Sequence, residues 1–257
     1  MTAADPAVET TEDAALGGRL VLRQPRQGHR FGHDAILLAA ACSARSSERL
    51  VDFGAGVGTA GLAVVRRVDD LSVTLVEIDP TLVALARENA VRNDLFGRVR
   101  PVRLDIGADA AAFAAAGLLP GTADHVIMNP PFNAPQNPSP HVGRRLAHSA
   151  AGDTLATWLQ AASRLLRPSG TVTVIWRADG LDAALARVSV SFGAIGLLPI
   201  HPKPDTPAIR ILIRAVKESR APLSLLPGFV LADHAGKSTA QAEAVLRGAA
   251  VLPLSHL

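Results

Sequence analysis

The sequence predicts an α/β fold: a seven-stranded, mostly parallel sheet with helices on both faces, preceded by a small N-terminal hairpin and helix. Three observations predict it. From residue 49 onward, short runs rich in Val, Leu and Ile alternate with longer stretches of helical period, the pattern of repeated βαβ units. The run Arg49-Leu50-Val51-Asp52-Phe53 leads into Gly54-Ala55-Gly56-Val57-Gly58-Thr59 and then the apolar segment Ala60 to Val65, which reads as strand, glycine-rich turn and helix. A later apolar run, Asp124 to Met128, is closed by Asn129-Pro130-Pro131-Phe132, whose prolines end the strand.

The elements follow in order. Residues 1–16 mix small and acidic side chains with little to bury and are expected to be a disordered tail; residues 17–46 form an N-terminal extension and 47–257 the main domain. Leu20 to Pro25, with the segment to Phe31, reads as a short hairpin, and Asp34 is placed to cap the helix that follows. Strands are expected near 49–53, 72–76, 98–104 and 124–128, with helices at 58–67, 80–92 and 108–117 between them; Asp79-Pro80 starts the second helix. The stretch Asn133 to Gly143 carries Pro135, Pro138 and Pro140 without any period and is expected to be a mobile loop over the site. A helix at 154–167 stops at Pro168-Ser169-Gly170, and strand 171–176 and helix 179–190 follow. Strands near 194–200 and 208–216 are expected as an antiparallel edge pair, and Thr239 to Arg247 as a late helix.

Composition sets bounds. Nearly half of the 257 residues are apolar, ample for a sizeable core. The single cysteine, Cys42, lies in an alanine-rich stretch and reads as a small buried hydrophobe, so neither a disulfide framework nor a zinc cluster is available and no metal is expected. No apolar stretch reaches 18 residues and the N-terminus lacks a hydrophobic signal core, which predicts a cytoplasmic protein without a membrane partner. Asp233-His234 and His256 have no matching nucleophile set, so a hydrolase triad is not supported. Of the 26 basic residues 23 are arginines, which suit phosphates and stacking on bases, although GC-rich codon usage produces the same bias. Arg19, Arg23, Arg26 and Arg30 cluster near the N-terminus, and Arg144 and Arg145 follow the Asn-Pro-Pro-Phe turn.

The candidate chemistry sits at the strand ends. Gly54, Gly56 and Gly58 allow close approach of a ligand to the backbone at the start of a helix. Glu77, at the end of the next strand and followed by Ile78-Asp79-Pro80, is placed to take both hydroxyls of a ribose, and Asp105, after the third strand, the edge of an adenine. A dinucleotide and S-adenosylmethionine both fit that layout. The dinucleotide fingerprint is not met, because Thr59 stands where its third glycine belongs. Asn129 and the Pro130 carbonyl can both accept from a planar exocyclic amine while Phe132 stacks on the ring that carries it, where the plainer alternative is a turn that Asn129 merely caps. With Asp52 before the glycine turn and Glu77 after the next strand, this turn favours methyl transfer.

On these residues the chain resembles the class I S-adenosylmethionine-dependent methyltransferases. Through Gln27-Gly28-His29-Arg30-Phe31-Gly32-His33-Asp34-Ala35-Ile36-Leu37-Leu38 it resembles the bacterial valine-tRNA adenine-37 N6-methyltransferase family in particular. The likeness spans roughly residues 18–250 and departs at Phe132, where a Tyr is usual, and from Ala221 on. It implies a seven-stranded Rossmann-like methyltransferase sheet with 47–257 as the class I domain. It also implies S-adenosyl-L-methionine as cofactor, held by Arg30, Asp34, Asp52, Gly54, Gly56, Gly58, Glu77, Ile78, Asp105 and Asn129. Catalysis is implied at Asn129, Pro130, Pro131 and Phe132, and the partner is implied to be RNA, most of all tRNA. Three rivals stand beside it: a guanine N2-methyltransferase of ribosomal RNA, a protein-glutamine methyltransferase, and an RNA-binding module without catalysis.

Overall fold

Two hydrophobic cores sandwich one mixed sheet. The computed structural model describes residues 9–27, 32–131 and 142–256, of which 142–153 by backbone alone. The elements are β1 (Thr10–Ala15), β2 (Leu20–Pro25), α1 (His33–Ala41), β3 (Arg49–Phe53), α2 (Thr59–Arg67), β4 (Ser72–Glu77), α3 (Pro80–Arg92), β5 (Val99–Arg103) and α4 (Ala110–Ala115). They continue with β6 (Ala123–Met128), α5 (Val142–Leu165), β7 (Leu166–Arg177), α6 (Leu181–Val188), β8 (Phe192–His201), β9 (Arg210–Lys217), β10 (Ser224–Leu225), β11 (Phe229–Val230) and α7 (Ala240–Leu246). Leu37, Leu38 and Leu62 fill one face of the sheet from α1 and α2, and Phe113, Leu155, Leu159 and Val188 fill the other from α4, α5 and α6.

The strand order is β10-β8-β9-β7-β6-β3-β4-β5, with β11 also beside β8. Strands β3 to β7 run parallel, and β9 enters antiparallel between β7 and β8. The sheet therefore has nine strands where seven were expected. The extra two, each of two residues, come from the segment after Ala221 and lie parallel to β8, covering the edge that the expected edge pair would leave open. The order reverses at β3, whose neighbours are β4 and β6, and such a reversal opens a crevice at the carboxyl ends of the strands.

Three local expectations are corrected. Residues 10–15, assigned to a disordered tail, form β1, which pairs antiparallel with β2; the hairpin partner lies upstream of Leu20 and not in the segment to Phe31. The acidic side chains that suggested disorder are engaged, Glu12 with Arg92 and Asp13 with Gln24. Asp34 does not cap α1, whose N-cap is Gly32 without a side-chain bond. Helix α5 ends at Leu165, and β7 begins at Leu166 and continues through Pro168-Ser169-Gly170, with Ser169 at φ 61°. Of the expected mobile loop from Asn133 to Gly143, residues 133–141 lie outside the described residues, and Val142 and Gly143 open α5. Among the described residues no helix is long and apolar enough to cross a membrane.

The free edge of β2 finds an unusual partner. Asn89 and Asn93, one turn apart on α3, offer their side-chain amides to Val21 and Arg23. Each Asn accepts the backbone N–H and donates to the backbone C=O of one residue, at 2.7 and 2.9 Å for Arg23 and 3.0 and 2.9 Å for Val21. Asn89 also donates to the Val57 carbonyl at 3.0 Å, which ties the hairpin to the glycine turn. Asn89→Ala should lower the free energy of unfolding by about 3 kcal/mol, since orphaned buried backbone groups cost roughly 1–3 kcal/mol each. Urea denaturation should give a lower midpoint at unchanged slope, and a larger loss than for Asn93→Ala, which leaves Val57 satisfied.

Candidate active site

Register across the carboxyl edge of the sheet assembles the site. Phe53 is paired with Val76 on one side and Met128 on the other, so the next residues along β3, β4 and β6 are Gly54, Glu77 and Asn129. Those three stand in a row, each about 5 Å from the next strand's. A cavity of about 700 Å³ opens beside them, walled by the glycine turn, the ends of β4, β5 and β6, Trp158 of α5, the start of α1 and Arg210 of β9.

The glycine turn has the backbone that its sequence requires. Gly54, Gly56 and Gly58 have φ of 68°, 57° and 93°, the left-handed region that favours glycine. A Cβ on Gly54 would sit 2.5 Å from the Trp158 ring, whereas a Cβ on Gly56 would meet nothing within 4 Å. Gly54 is thus demanded by packing, and Gly56 is the point where a ligand can approach the chain. Trp158 is itself fixed edge-on against Phe53, with ring centroids 6.3 Å apart.

Two carboxylates shape this turn. Glu77, 9% exposed, accepts from the Gly56 N–H at 2.9 Å with one oxygen and from the Ile78 and Asp79 N–H groups at 2.8 and 3.0 Å with the other. A carboxylate has about four lone-pair sites, so acceptor capacity remains on the cavity side. Asp52, 2% exposed, accepts from the Gly61 N–H at 2.9 Å inside the first turns of α2. Burial pushes its carboxyl up to about 7; the Gly61 bond pulls the other way and the nearby charge of Glu77 reinforces the rise.

The far end of the cavity, past β4 and β5, is apolar except at its rim. Ile78 is 57% exposed and stands with Leu82, Leu104 and Ile106 around Asp105, which accepts from the Gly107 N–H at 2.8 Å. That slot suits a flat ring with one polar edge. At the opposite end Asn129 and Pro130 close the wall. The Asn129 Oδ1 is buried without a hydrogen-bond partner among the described residues, an arrangement that costs free energy unless a ligand donates to it.

The structure brings Asp34, Asp52, Gly54, Gly56, Glu77, Ile78, Asp105, Asn129, Pro130 and Pro131 to one cavity. Gly58 stands behind the wall as the N-cap of α2, and Arg30 and Phe132 lie outside the described residues. Asp34 accepts from the Nε of Arg210 at 2.8 Å. Sequence reasoning missed Trp158, Arg210 and Thr59. Thr59 at the start of α2 is 3% exposed, and its hydroxyl is buried without a partner among the described residues. For Trp158 only the demand for glycine at 54 carried a signal; for Arg210, at a strand start in an arginine-rich chain, none did.

The family model for the methyltransferase small domain matches residues 30–193. A tRNA1(Val) (adenine(37)-N6)-methyltransferase of Bacteroides thetaiotaomicron is 27% identical over 60% of this chain, and the chain spans only about three fifths (62%) of that relative's length. A protein of the same name from Bacteroides fragilis is 30% identical over 72% of this chain and 76% of its own. Among solved structures, a predicted O-methyltransferase from Agrobacterium tumefaciens superimposes with a TM-score of 0.73 at 28% identity, over 85% of this chain and 98% of that one.

The state of Asp52 gives a test that needs no ligand. Its folded pKa of about 7 lies above the unfolded value of about 3.9, so the folded state holds this proton more tightly. The stability so gained is complete below about pH 4 and is lost as pH rises through about 7. Asp52→Asn keeps an acceptor for Gly61 and removes the titration. Urea denaturation from pH 5 to 8 should show wild-type stability falling, relative to the variant, by a few kcal/mol; parallel profiles would contradict the burial of a titrating carboxyl here.

Proposed function

The chain belongs to the methyltransferase small domain family, and from that premise we propose that it methylates the N6 amine of an adenine in a tRNA anticodon loop, in the cytoplasm, with S-adenosylmethionine as donor. The observation that carries this reading is the row Glu77, Gly54, Asn129 on three adjacent strands, with the Asn129 oxygen buried and unpartnered among the described residues. The tRNA part of the reading draws its support from what the relatives are named for.

The cavity fits the cofactor. At the end formed by β4 and β5 its charged residues are Glu77 and Asp105, a wall whose negative charge favours a cation. Glu77 is poised for the ribose hydroxyls, the slot around Ile78 and Asp105 for the adenine, and open Gly56 for close backbone contact. When bound there, S-adenosylmethionine supplies an electrophilic methyl group on a positively charged sulfur.

The chain's own residues prepare the acceptor. An exocyclic amine on an aromatic ring is a poor nucleophile because its lone pair is delocalised into the ring. Asn129 Oδ1 and the Pro130 carbonyl accept hydrogen bonds from its two N–H groups and draw the nitrogen toward tetrahedral geometry, with its lone pair aimed at the cofactor side; the nitrogen, cationic once methylated, releases one proton to water, and the remainder is positioning. The prolines keep that carbonyl free, since neither residue has an N–H to donate. A hydroxyl acceptor would instead need a base to take its proton, and the amide at 129 is not one. An adenine inside folded RNA must leave its stack, at a cost of a few kcal/mol, and Phe132 is assigned the ring against which it settles.

Purified protein incubated with S-adenosylmethionine and tRNA transcripts should yield N6-methyladenosine 3′ of the anticodon by nucleoside mass spectrometry; methyl groups on guanine N2 or on protein glutamine would reject this reading. Asn129→Ala should lower kcat about 100-fold or more while changing cofactor affinity only a few-fold, the signature of a contact made to the reacting group. Glu77→Ala should instead weaken S-adenosylmethionine binding about 10- to 100-fold by calorimetry, the scale of one or two lost hydrogen bonds to a charged acceptor.

A further inference from the structure

The pair Asp34–Arg210 belongs to neither half of the site described so far. Arg210 opens β9, and in the sheet it is register partner of Arg177 at the end of β7 and of Ile200 on β8. Two strand spacings separate β9 from β6, roughly 10 Å, with β7 between them. The residues suited to the cofactor, Glu77 and Asp105, follow β4 and β5 on the other side of β3. Arg210 therefore stands beyond Asn129 as seen from Glu77, at the end of the cavity away from the residues suited to the cofactor.

Its side chain is held in a fixed attitude. Nε donates to Asp34 Oδ2 at 2.8 Å and one terminal nitrogen donates to the Ile209 carbonyl at 3.1 Å, so the guanidinium plane is set by α1 on one side and by its own strand on the other. Helix α1 packs on α2, β6, β7 and β9, so its first turn carries Asp34 across to this end of the cavity. Arg177 is held in the same way by Asp179. A planar guanidinium with an oriented fork suits the oxygens of a phosphate. A nucleotide turned out of its stack brings such groups with it, because its base enters the cavity and its backbone stays at the mouth.

We propose that Arg210 holds a backbone phosphate flanking the target nucleotide and that Asp34 is its positioning residue, on the acceptor side and not on the cofactor. The inference rests on the RNA reading above, and it makes the substrate a phosphodiester-linked nucleotide and not a free nucleoside. Asp34, which the resemblance placed with the cofactor, is assigned here to the acceptor side.

The test uses the full chain and two synthetic anticodon stem-loops, one with ordinary linkages and one with uncharged methylphosphonates flanking the target adenine. Neutralising those linkages should raise the wild-type KM for RNA about 10- to 100-fold, the range of one or two charge-assisted hydrogen bonds, with kcat little changed. Arg210→Ala should show the same loss on ordinary RNA and no further loss on the neutral one, with S-adenosylmethionine affinity unchanged by calorimetry. Arg210→Lys should restore part of the loss, and Asp34→Asn should raise the RNA KM while leaving kcat and the melting temperature in place. Additive losses in Arg210→Ala and the neutral RNA, or weakened cofactor binding with an unchanged RNA KM, would overturn the clamp alone. Wild-type protein inert on both RNAs but active on another class of acceptor would overturn the RNA reading and the clamp together.

Discussion

Phe53 is hydrogen-bonded into the sheet opposite Val76 on one side and Met128 on the other, and the candidate site hangs on that register. Successive residues of a strand face opposite sides of the sheet, so a one-residue slip of β3 against β6 would turn Asn129 away from the glycine turn and expose the apolar face of β6. The register is held by both cores. Phe53 packs edge-on against Phe113 and Trp158, and Leu50 and Leu75 are buried under α2. The placement of the strand ends is thus specified in large part by side chains, Phe53, Phe113, Leu50 and Leu75, that do not line the cavity.

The two carboxylates near the turn bind backbone and line the cavity at once, in different proportions. Glu77 spends three of its acceptor positions on backbone N–H groups, which leaves it rigid and still able to accept on its cavity side. Asp52 is deeper, with one backbone donor and the repulsion of Glu77, and its ionised form is correspondingly disfavoured. Burial and the neighbouring Glu77 make a charge on Asp52 costly, the Gly61 N–H at the start of α2 offsets part of that cost, and a cation beside the wall would offset more.

Most of this site was legible in the sequence because its parts are punctuated by residues with special backbone requirements. Glycines at 54, 56 and 58 and prolines at 130 and 131 fix where strands end, and acids just past strand ends stand out against apolar runs. The hairpin was misjudged for a physical reason: Thr10 to Ala15 has no apolar alternation, and what orders it are the Glu12–Arg92 ion pair and pairing with β2, which is itself held by the amides of Asn89 and Asn93, some 70 residues away in sequence. Arg210 escaped for the same cause, since its partner Asp34 is 176 residues distant and nothing local marks either as a pair. The two short strands after Ala221 pair in the sheet with β8 alone, and two residues carry no period to read.

Asn89 gives the N-terminus a part in the site. Its amide bridges Arg23 of the hairpin and the carbonyl of Val57 in the glycine turn, and the chain that leaves β2 runs on to Gly32 and Asp34 at the cavity wall. The hairpin of β1 and β2 is therefore not dispensable for protein engineering. Removing β1 and β2 strips the buried Asn89 amide of two partners and uncovers the core that Leu20 and Leu22 pack against, so a shortened version would loosen the turn it never reaches in sequence, and an N-terminal fusion is best joined ahead of β1.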